Sequence, residues 1–574
     1  MSDIFIGSKT NQETIIGHPV GLFVLFFTEM WERFSYYGMR AIFVLFLTST
    51  IAEGGFGWER SEALTWYAVY TSLVYGTPII GGMIADRYIG YRKAVVFGAA
   101  LMTLGHAVLA FETLSTFVMG LALLIIGNGL FKPNITPIVG QMYPDGSPLK
   151  DGAYTIFYMG VNAGAFLGIL ICGYLGENVG WNWGFGAAGV FMFFGMLQFH
   201  FAQKIFGKLG EAPDKQNAGE EEHGEKIVPF TRQDWIWGGL SIAFFVGTII
   251  FWNLYQTESP LDKFLFLVPF LVVFITYVVL RLKKYPKVER DRITVISLFA
   301  FFVVFFWLAF EQAGGTMTIF ANDYTERDLT TPVAVTWFRG VSLLLTFIPM
   351  VLLTWVLVSL ARKISNAFPL TILFTGLSFF IIWGIIIWIN YNNFNNETLE
   401  VPASWFGTLN SFFIISLAPL FSMMWVRLAG TSMNPSGPIK LAIGLFLLGI
   451  GFGALVIGSS SIPQGAQTAS VSMIWLVLAY FFHTVGELCL SPVGLSLVNK
   501  LSPMRLMALM FGIWYIANFV ANFTGGMIGS YIDDISNATS MSSFFTIFVV
   551  MAFGAGTALV LLNKPIKRMM HGVE

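Results

Sequence analysis

Sixteen stretches of this chain are apolar and long enough to cross a lipid bilayer, and that repetition limits the fold before anything else does. They run near 18–49, 64–86, 92–112, 116–142, 151–177, 183–205, 233–255, 262–283, 291–321, 333–358, 367–391, 403–427, 438–459, 470–498, 505–531 and 543–563. Hydrocarbon offers no partner for a backbone N–H or C=O, so each run must satisfy its own backbone as a helix. The expected fold is an all-α polytopic membrane protein of about sixteen spans. Composition agrees: of 574 residues 56% are hydrophobic and only 11% charged, where a soluble domain carries about 25%. The longest polar stretch, about 206–232, reads as a solvated linker, which leaves no room for a separate soluble domain. The net charge of −1 suggests no nucleic-acid partner, and the lipid bilayer is the surrounding that this composition demands. Cys172 and Cys489 both fall in apolar runs and imply neither a disulfide framework nor a metal cluster. The first seventeen residues have no basic region or small-residue cleavage site, so the first run is expected to be retained as a span.

Basic residues orient the spans. With the N-terminus placed in the cytoplasm and the spans alternating, 25 of the 32 Lys and Arg fall on the cytoplasmic side. Only Arg60, Lys263, Arg327 and Arg339 fall outside. An odd error in the span count would destroy that asymmetry. Both termini are expected in the cytoplasm.

Seven charged acid or base residues nevertheless lie well inside spans. Glu29, Glu32, Arg33 and Arg40 are in the first, Lys132 in the fourth, Glu311 in the ninth and Glu487 in the fourteenth. A charge at the centre of a membrane helix costs about 2.5–3.5 kcal/mol on insertion scales. One or two would suffice to pin helices together. Four acids and three bases, nearly balanced in sign, point to a shared polar cavity. Glu29, Glu32 and Arg33, Tyr36 and Arg40 recur at three- and four-residue steps and so share one helix face, with Glu29 four residues ahead of Arg33. The other face, with Phe26, Met30 and Phe43, is free to meet lipid or helices. Pro133 and Pro137 beside Lys132, Gly486 and Pro492 around Glu487, and Gly314 and Gly315 after Glu311 predict softened or kinked helices there. His106, His200 and His483 read first as hydrogen-bonded packing. There is no nucleotide-binding loop and no nucleophile–base signature. A polytopic chain with a mixed-charge cavity and no ATPase domain reads as a secondary transporter, not an enzyme.

The core of "FTEMWERFSYYGMR" (27–40) resembles E-x-x-E-R-F-x-Y-Y, the hallmark of the proton-dependent oligopeptide transporter family of the major facilitator superfamily. "FYMGVNAG" (157–164) is similar to F-Y-x-x-I-N-x-G, with Val161 in place of Ile, and "GELCLSPVG" (486–494) to G-E-x-x-x-S-P-x-G. "GMIADRYIGYRK" (82–93) resembles the superfamily's signature loop through Gly82, Asp86, Arg87, Arg92 and Lys93. There Gly82 would permit close helix approach and Asp86 would cap or pair with the bases. The resemblance covers nearly the whole chain. It implies a six-helix bundle over 1–205, a cytoplasmic linker with two extra helices over 206–290, and a second six-helix bundle over 291–574. The last would carry an inserted two-helix hairpin near 330–400, for which the residues suggest no function.

The resemblance also implies roles. Arg33 and Lys132 would receive a peptide carboxylate and Glu487 the peptide amino group. Arg40 and Glu311 would form an outer gate pair. Glu29, Glu32, Arg33 and Glu311 would couple protons, and Tyr36, Tyr37, Tyr75, Asn162, Asn410 and Trp514 would line the pocket. The implied activity is import of di- and tripeptides across the plasma (cell inner) membrane, driven by the proton gradient with no cofactor. Animal members use a His in the second span. Here "TWYAVYTSLVYG" has none, so coupling must rest on the carboxylates. Carriage of another small anion or a peptide-like conjugate, or a peptide receptor that moves nothing, are the competing readings.

Overall fold

The computed structural model of the protein describes residues 4–144, 146–212, 231–254, 260–502 and 507–573. Most of the linker expected at 206–232 lies outside them. The first nine helices are α1 (Val20–Thr48), α2 (Arg60–Ile84), α3 (Tyr91–Leu109), α4 (Leu114–Gln141), α5 (Lys150–Asn178), α6 (Trp181–Ala202), α7 (Arg232–Leu254), α8 (Pro260–Leu282) and α9 (Lys287–Phe310). There follow α10 (Thr316–Asp323), α11 (Pro332–Ile364), α12 (Pro369–Asn395), α13 (Thr408–Ala429), α14 (Gly437–Ser459), α15 (Ile474–Leu501), α16 (Met507–Gly529), α17 (Ile532–Ala538) and α18 (Met541–Met569). Only α10 and α17 are short, and each expected apolar run carries one long helix. Among the described residues, strands are confined to two-residue pairs: β1 (Thr14–Ile15) with β2 (His18–Pro19), and β3 (Asp328–Leu329) with β4 (Leu399–Glu400).

Among the described residues, eleven spans qualify on length and apolarity alone, and α1 is not one of them. Its charges exclude it, and the fold accommodates them by removing α1 from lipid. Of its residues only Tyr37, Ala41 and Thr48 are not buried. The face of Phe26, Met30 and Phe43 meets helices. Gly160, Gly164 and Gly168 recur every fourth residue on α5, and a Cβ on any of them would strike the backbone oxygen of Phe26, Met30 or Phe34. Between membrane helices such small-residue stripes allow the backbones to approach closely.

Helices α1–α6 pack on one another, and α9, α13, α14, α15, α16 and α18 form a second group. The groups meet where α2 lies on α16 and α5 on α13. α7 and α8 pack together, with Asp234 held by Arg281 (3.0 Å) and Lys284 (2.9 Å). The hairpin α11–α12 follows helices of the second group in sequence but packs on α6 of the first. Gln198 of α6 accepts from Thr375 Oγ1 (2.6 Å) and donates to Thr28 Oγ1 (2.9 Å), while the carbonyl of Gln198 accepts from Thr371 (3.2 Å).

Local expectations fare unevenly. α9 does stop at Phe310, and Glu311–Gly314 form a 3-10 turn before α10. α4 continues as helix through Pro133 and Pro137, and α15 through Gly486. Beside the 82–93 loop the close approach belongs to Gly81, the residue just before it, whose Cβ would strike the carbonyl of Gly129; at Gly82 a Cβ would meet Pro133 at an ordinary 3.6 Å. The sequence pattern singles out Gly82, but helix rotation turns its neighbour Gly81 to the partner helix. Asp86 forms no ion pair with the nearby bases among the described residues. Arg92 reaches Glu211 (2.5 Å) and the carbonyl of Gln203 (2.9 Å) beyond α6, and Arg87 and Lys93 stay on the surface.

Candidate functional site

Between the two helix groups lies a cavity of about 720 Å³, within the range of small-molecule sites. α1 contributes Glu29, Arg33, Tyr37, Arg40 and Ala41; α2 adds Tyr75, α4 adds Lys132 and Thr136, and α5 adds Tyr154, Tyr158 and Asn162. The second group contributes Trp307, Phe310, Glu311, Asn410, His483, Glu487, Trp514 and Asn518. Of the pocket residues expected from sequence, Tyr37, Tyr75, Asn162, Asn410 and Trp514 line the cavity. Tyr36 does not: it is buried beside Tyr37, because one residue along a helix is a turn of about 100°. Glu32 is likewise displaced from the lining, although it shares the charge cluster.

That cluster is built around Arg33. Its Nε donates to Glu29 Oε1 (2.9 Å) and lies 2.6 Å from Glu32 Oε2. Glu32 is fully buried, and its other oxygen accepts from Asn128 Nδ2 (2.9 Å) on α4. The terminal nitrogens of Arg33 make no bond to protein among the described residues, which leaves them for a ligand. Lys132 Nζ lies 4.0 Å from the centre of the Tyr75 ring, a cation–π contact, with no carboxylate in ion-pair range among the described residues. Arg33 and Lys132 thus face the cavity from the first group, apart from Arg40, which is paired with Glu311. Across it, Glu487 Oε2 accepts from Asn410 Nδ2 (3.0 Å), which also donates to Thr484 Oγ1 (3.1 Å). One side of the cavity presents positive charge and the other a carboxylate. The walls between are largely aromatic, as in Tyr158, Trp307, Phe310 and Trp514.

One end of the cavity is shut. Arg40 pairs with Glu311 and donates from Nε to Tyr67 Oη (2.6 Å), joining α1 and α2 to the turn after α9. Beyond it, Arg60 at the start of α2 reaches Asp323 of α10 (2.7 Å), Asp533 of α17 (2.9 Å) and Tyr324 Oη (2.9 Å). From Arg40 and Glu311 the lining continues to Thr136 and Tyr154, near the opposite ends of α4 and α5. Neither Asn128 nor Tyr67 stands out in the sequence. Asn128 lies four residues before Lys132 on the same helix face, which is the one signal that could have marked it. Arg60 reads there only as an isolated base outside the membrane.

The sequence model of the POT family matches residues 92–389 and 381–547. The peptide transporter YePEPT of Yersinia enterocolitica is 29% identical over 572 residues, covering 98% of this chain and 97% of its own. A di-/tripeptide transporter of Lactococcus lactis subsp. cremoris is 29% identical over 574 residues, covering 98% and 99%. The crystal structure of a peptide transporter POT in complex with sulfate superposes with a TM-score of 0.70 at 30% identity, over 98% of this chain and 97% of that one.

Proposed function

This chain belongs to the POT family, and from that premise we propose that it is a proton-coupled symporter of di- and tripeptides. The observation that carries the reading is the polarity of the cavity. A short peptide is a zwitterion with variable side chains. It needs a cation at one end, an anion at the other, and walls that tolerate apolar groups. Arg33 and Lys132 supply the first, Glu487 the second, and the aromatic lining the third. A carrier of small anions has no use for a carboxylate opposite its cations, so Glu487 counts against the anion alternative.

The carrier works by alternating access. The chain sits in the cell inner membrane with both termini in the cytoplasm, an orientation supported by the distribution of Lys and Arg. The shut end is then the outer one, sealed by the Arg40–Glu311 pair, and the cavity leads toward the cytoplasm. Outside, protonation of a carboxylate in the Glu29, Glu32 and Arg33 cluster, or of Glu311, releases an ion pair and lets the outer end part. The peptide carboxylate then takes up the terminal nitrogens of Arg33 and the Lys132 ammonium. Binding at the centre of the membrane biases the groups to close over the load. No cofactor enters; the proton gradient supplies the work. Counterflow of labelled dialanine in proteoliposomes tests the reading. Exchange of labelled for unlabelled peptide identifies a carrier, whereas saturable binding without exchange identifies a receptor.

A further inference from the structure

We infer that Glu177, in the last turn of α5, latches a second closure of the cavity's shut end, in parallel with the Arg40–Glu311 pair. This rests on the alternating-access reading above. The carboxylate reaches across from the first helix group to the turn Ala403–Gly407 that opens α13. One oxygen accepts from the Ala403 N–H (2.7 Å), and the other from the Ser404 N–H (3.0 Å) and Ser404 Oγ (2.5 Å). The first N–H groups of a helical run have no partner of their own, and a carboxylate satisfies them with charge-assisted bonds. Around this point the surfaces interlock. Trp405 Nε1 donates to the Leu170 carbonyl (3.0 Å), and Gly173 faces Ser404 with no room for a Cβ. Glu177 has no ion-pair partner within 4 Å among the described residues, so Ala403 and Ser404 are what hold it.

Its place completes the closure. Arg60 joins the groups at the edge where α2 meets α10 and α17, while Glu177 joins them at the other edge, where α5 meets α13. Rocking of one group against the other has to part both edges. Opening would strip the carboxylate and the two backbone donors of one another, and would leave them unpaired until water arrived. The inserted hairpin gains a role from the same geometry. Its return strand β4 pairs with β3, the Val401 N–H donates to the Arg327 carbonyl (3.0 Å), and Arg327 Nη1 donates to the Val401 carbonyl (2.7 Å). These bonds fix the chain two residues before Ala403 and so set the latch in register with α5.

The test is accessibility of the cavity from its shut end. Ser411, a buried lining residue of α13, is replaced by cysteine in full-length protein with Cys172 and Cys489 replaced by alanine. A membrane-impermeant maleimide is added on the side that labels a control cysteine at the exposed Ala52. Glu177→Gln keeps the size but sets an amide N–H₂ against a backbone N–H. It should speed labelling about tenfold or more, as expected for a lost charge-assisted bond. Ser404→Ala, which removes one donor of three, should speed it a few-fold, and the double variant should fall short of the product of the two. Unchanged labelling in both single variants overturns the latch. If Glu177→Gln does not yield monodisperse protein, Ser404→Ala decides alone, a raised rate supporting the latch and an unchanged rate overturning it. Labelling needs no substrate, so a chain that labels faster but exchanges no dialanine keeps the latch and loses the peptide reading.

Discussion

Replacing Glu487 by glutamine tests how the cavity holds the amino end of its ligand. The side chain is 7% exposed, and one of its oxygens already accepts from Asn410. A glutamine there keeps that bond only by turning its carbonyl oxygen to Asn410. Its N–H₂ then points into the cavity, a donor facing the ligand's ammonium donors. The variant therefore loses both the charge and the free acceptor, with little change in volume. A hydrogen bond to a charged group contributes about 1.5–3 kcal/mol, so dialanine should bind about ten- to a hundredfold more weakly. N-acetyl-dialanine has no ammonium. It should bind the wild type poorly, because it leaves the carboxylate unpaired, and should lose little more in the variant. Calorimetric titration of both ligands into both proteins closes a double-mutant cycle. Coupling of at least about 1.5 kcal/mol is expected. Coupling near zero would refute the assignment of Glu487 and favour the anion carrier.

Arg40→Ala should retain dialanine counterflow, which needs no gradient, and lose accumulation driven by a pH gradient, because Glu311 is left without its partner at the shut end; normal accumulation would remove the gate pair from the account. Gly81→Ala should lower the thermal unfolding midpoint in detergent far more than Gly82→Ala, since only the first Cβ meets an immovable backbone carbonyl across the α2–α4 contact; equal midpoints would contradict that packing. A cysteine at Ser365, just after the last turn of α11 where Arg362 and Lys363 lie, should resist impermeant reagents added outside intact cells; labelling there would reverse the topology.

The sequence was most informative where it broke its own rule. Charges in apolar runs are so costly that Glu29, Arg33, Arg40, Lys132, Glu311 and Glu487 could be picked out directly, and all six line one cavity. The four-residue spacing of Glu29 and Arg33 is realised as an ion pair for the same reason. Rotation about a helix axis was not legible. Tyr36 and Tyr37, and Gly81 and Gly82, differ in role by a one-residue step, and Glu29 and Glu32 by one turn of the same face, and that facing depends on which partner helix arrives. Glu177 stayed hidden because a carboxylate at the end of a run looks like an interfacial residue. The seat of α11–α12 was hidden because an apolar hairpin carries no address. Its polar contacts, Thr371 and Thr375 with Gln198, are unremarkable until the helices come together.

Peptide movement tied to protons through this cavity should show itself as transport uphill. Accumulation of labelled dialanine in proteoliposomes, with the exterior made one pH unit more acidic than the lumen, tests it most directly. One unit is worth about 1.4 kcal/mol per proton, enough for up to about tenfold accumulation at one proton per peptide. A proton-coupled carrier gives uptake above the external concentration that collapses when a protonophore is added. Uptake that only equilibrates, unaltered by the gradient or the protonophore, would contradict it.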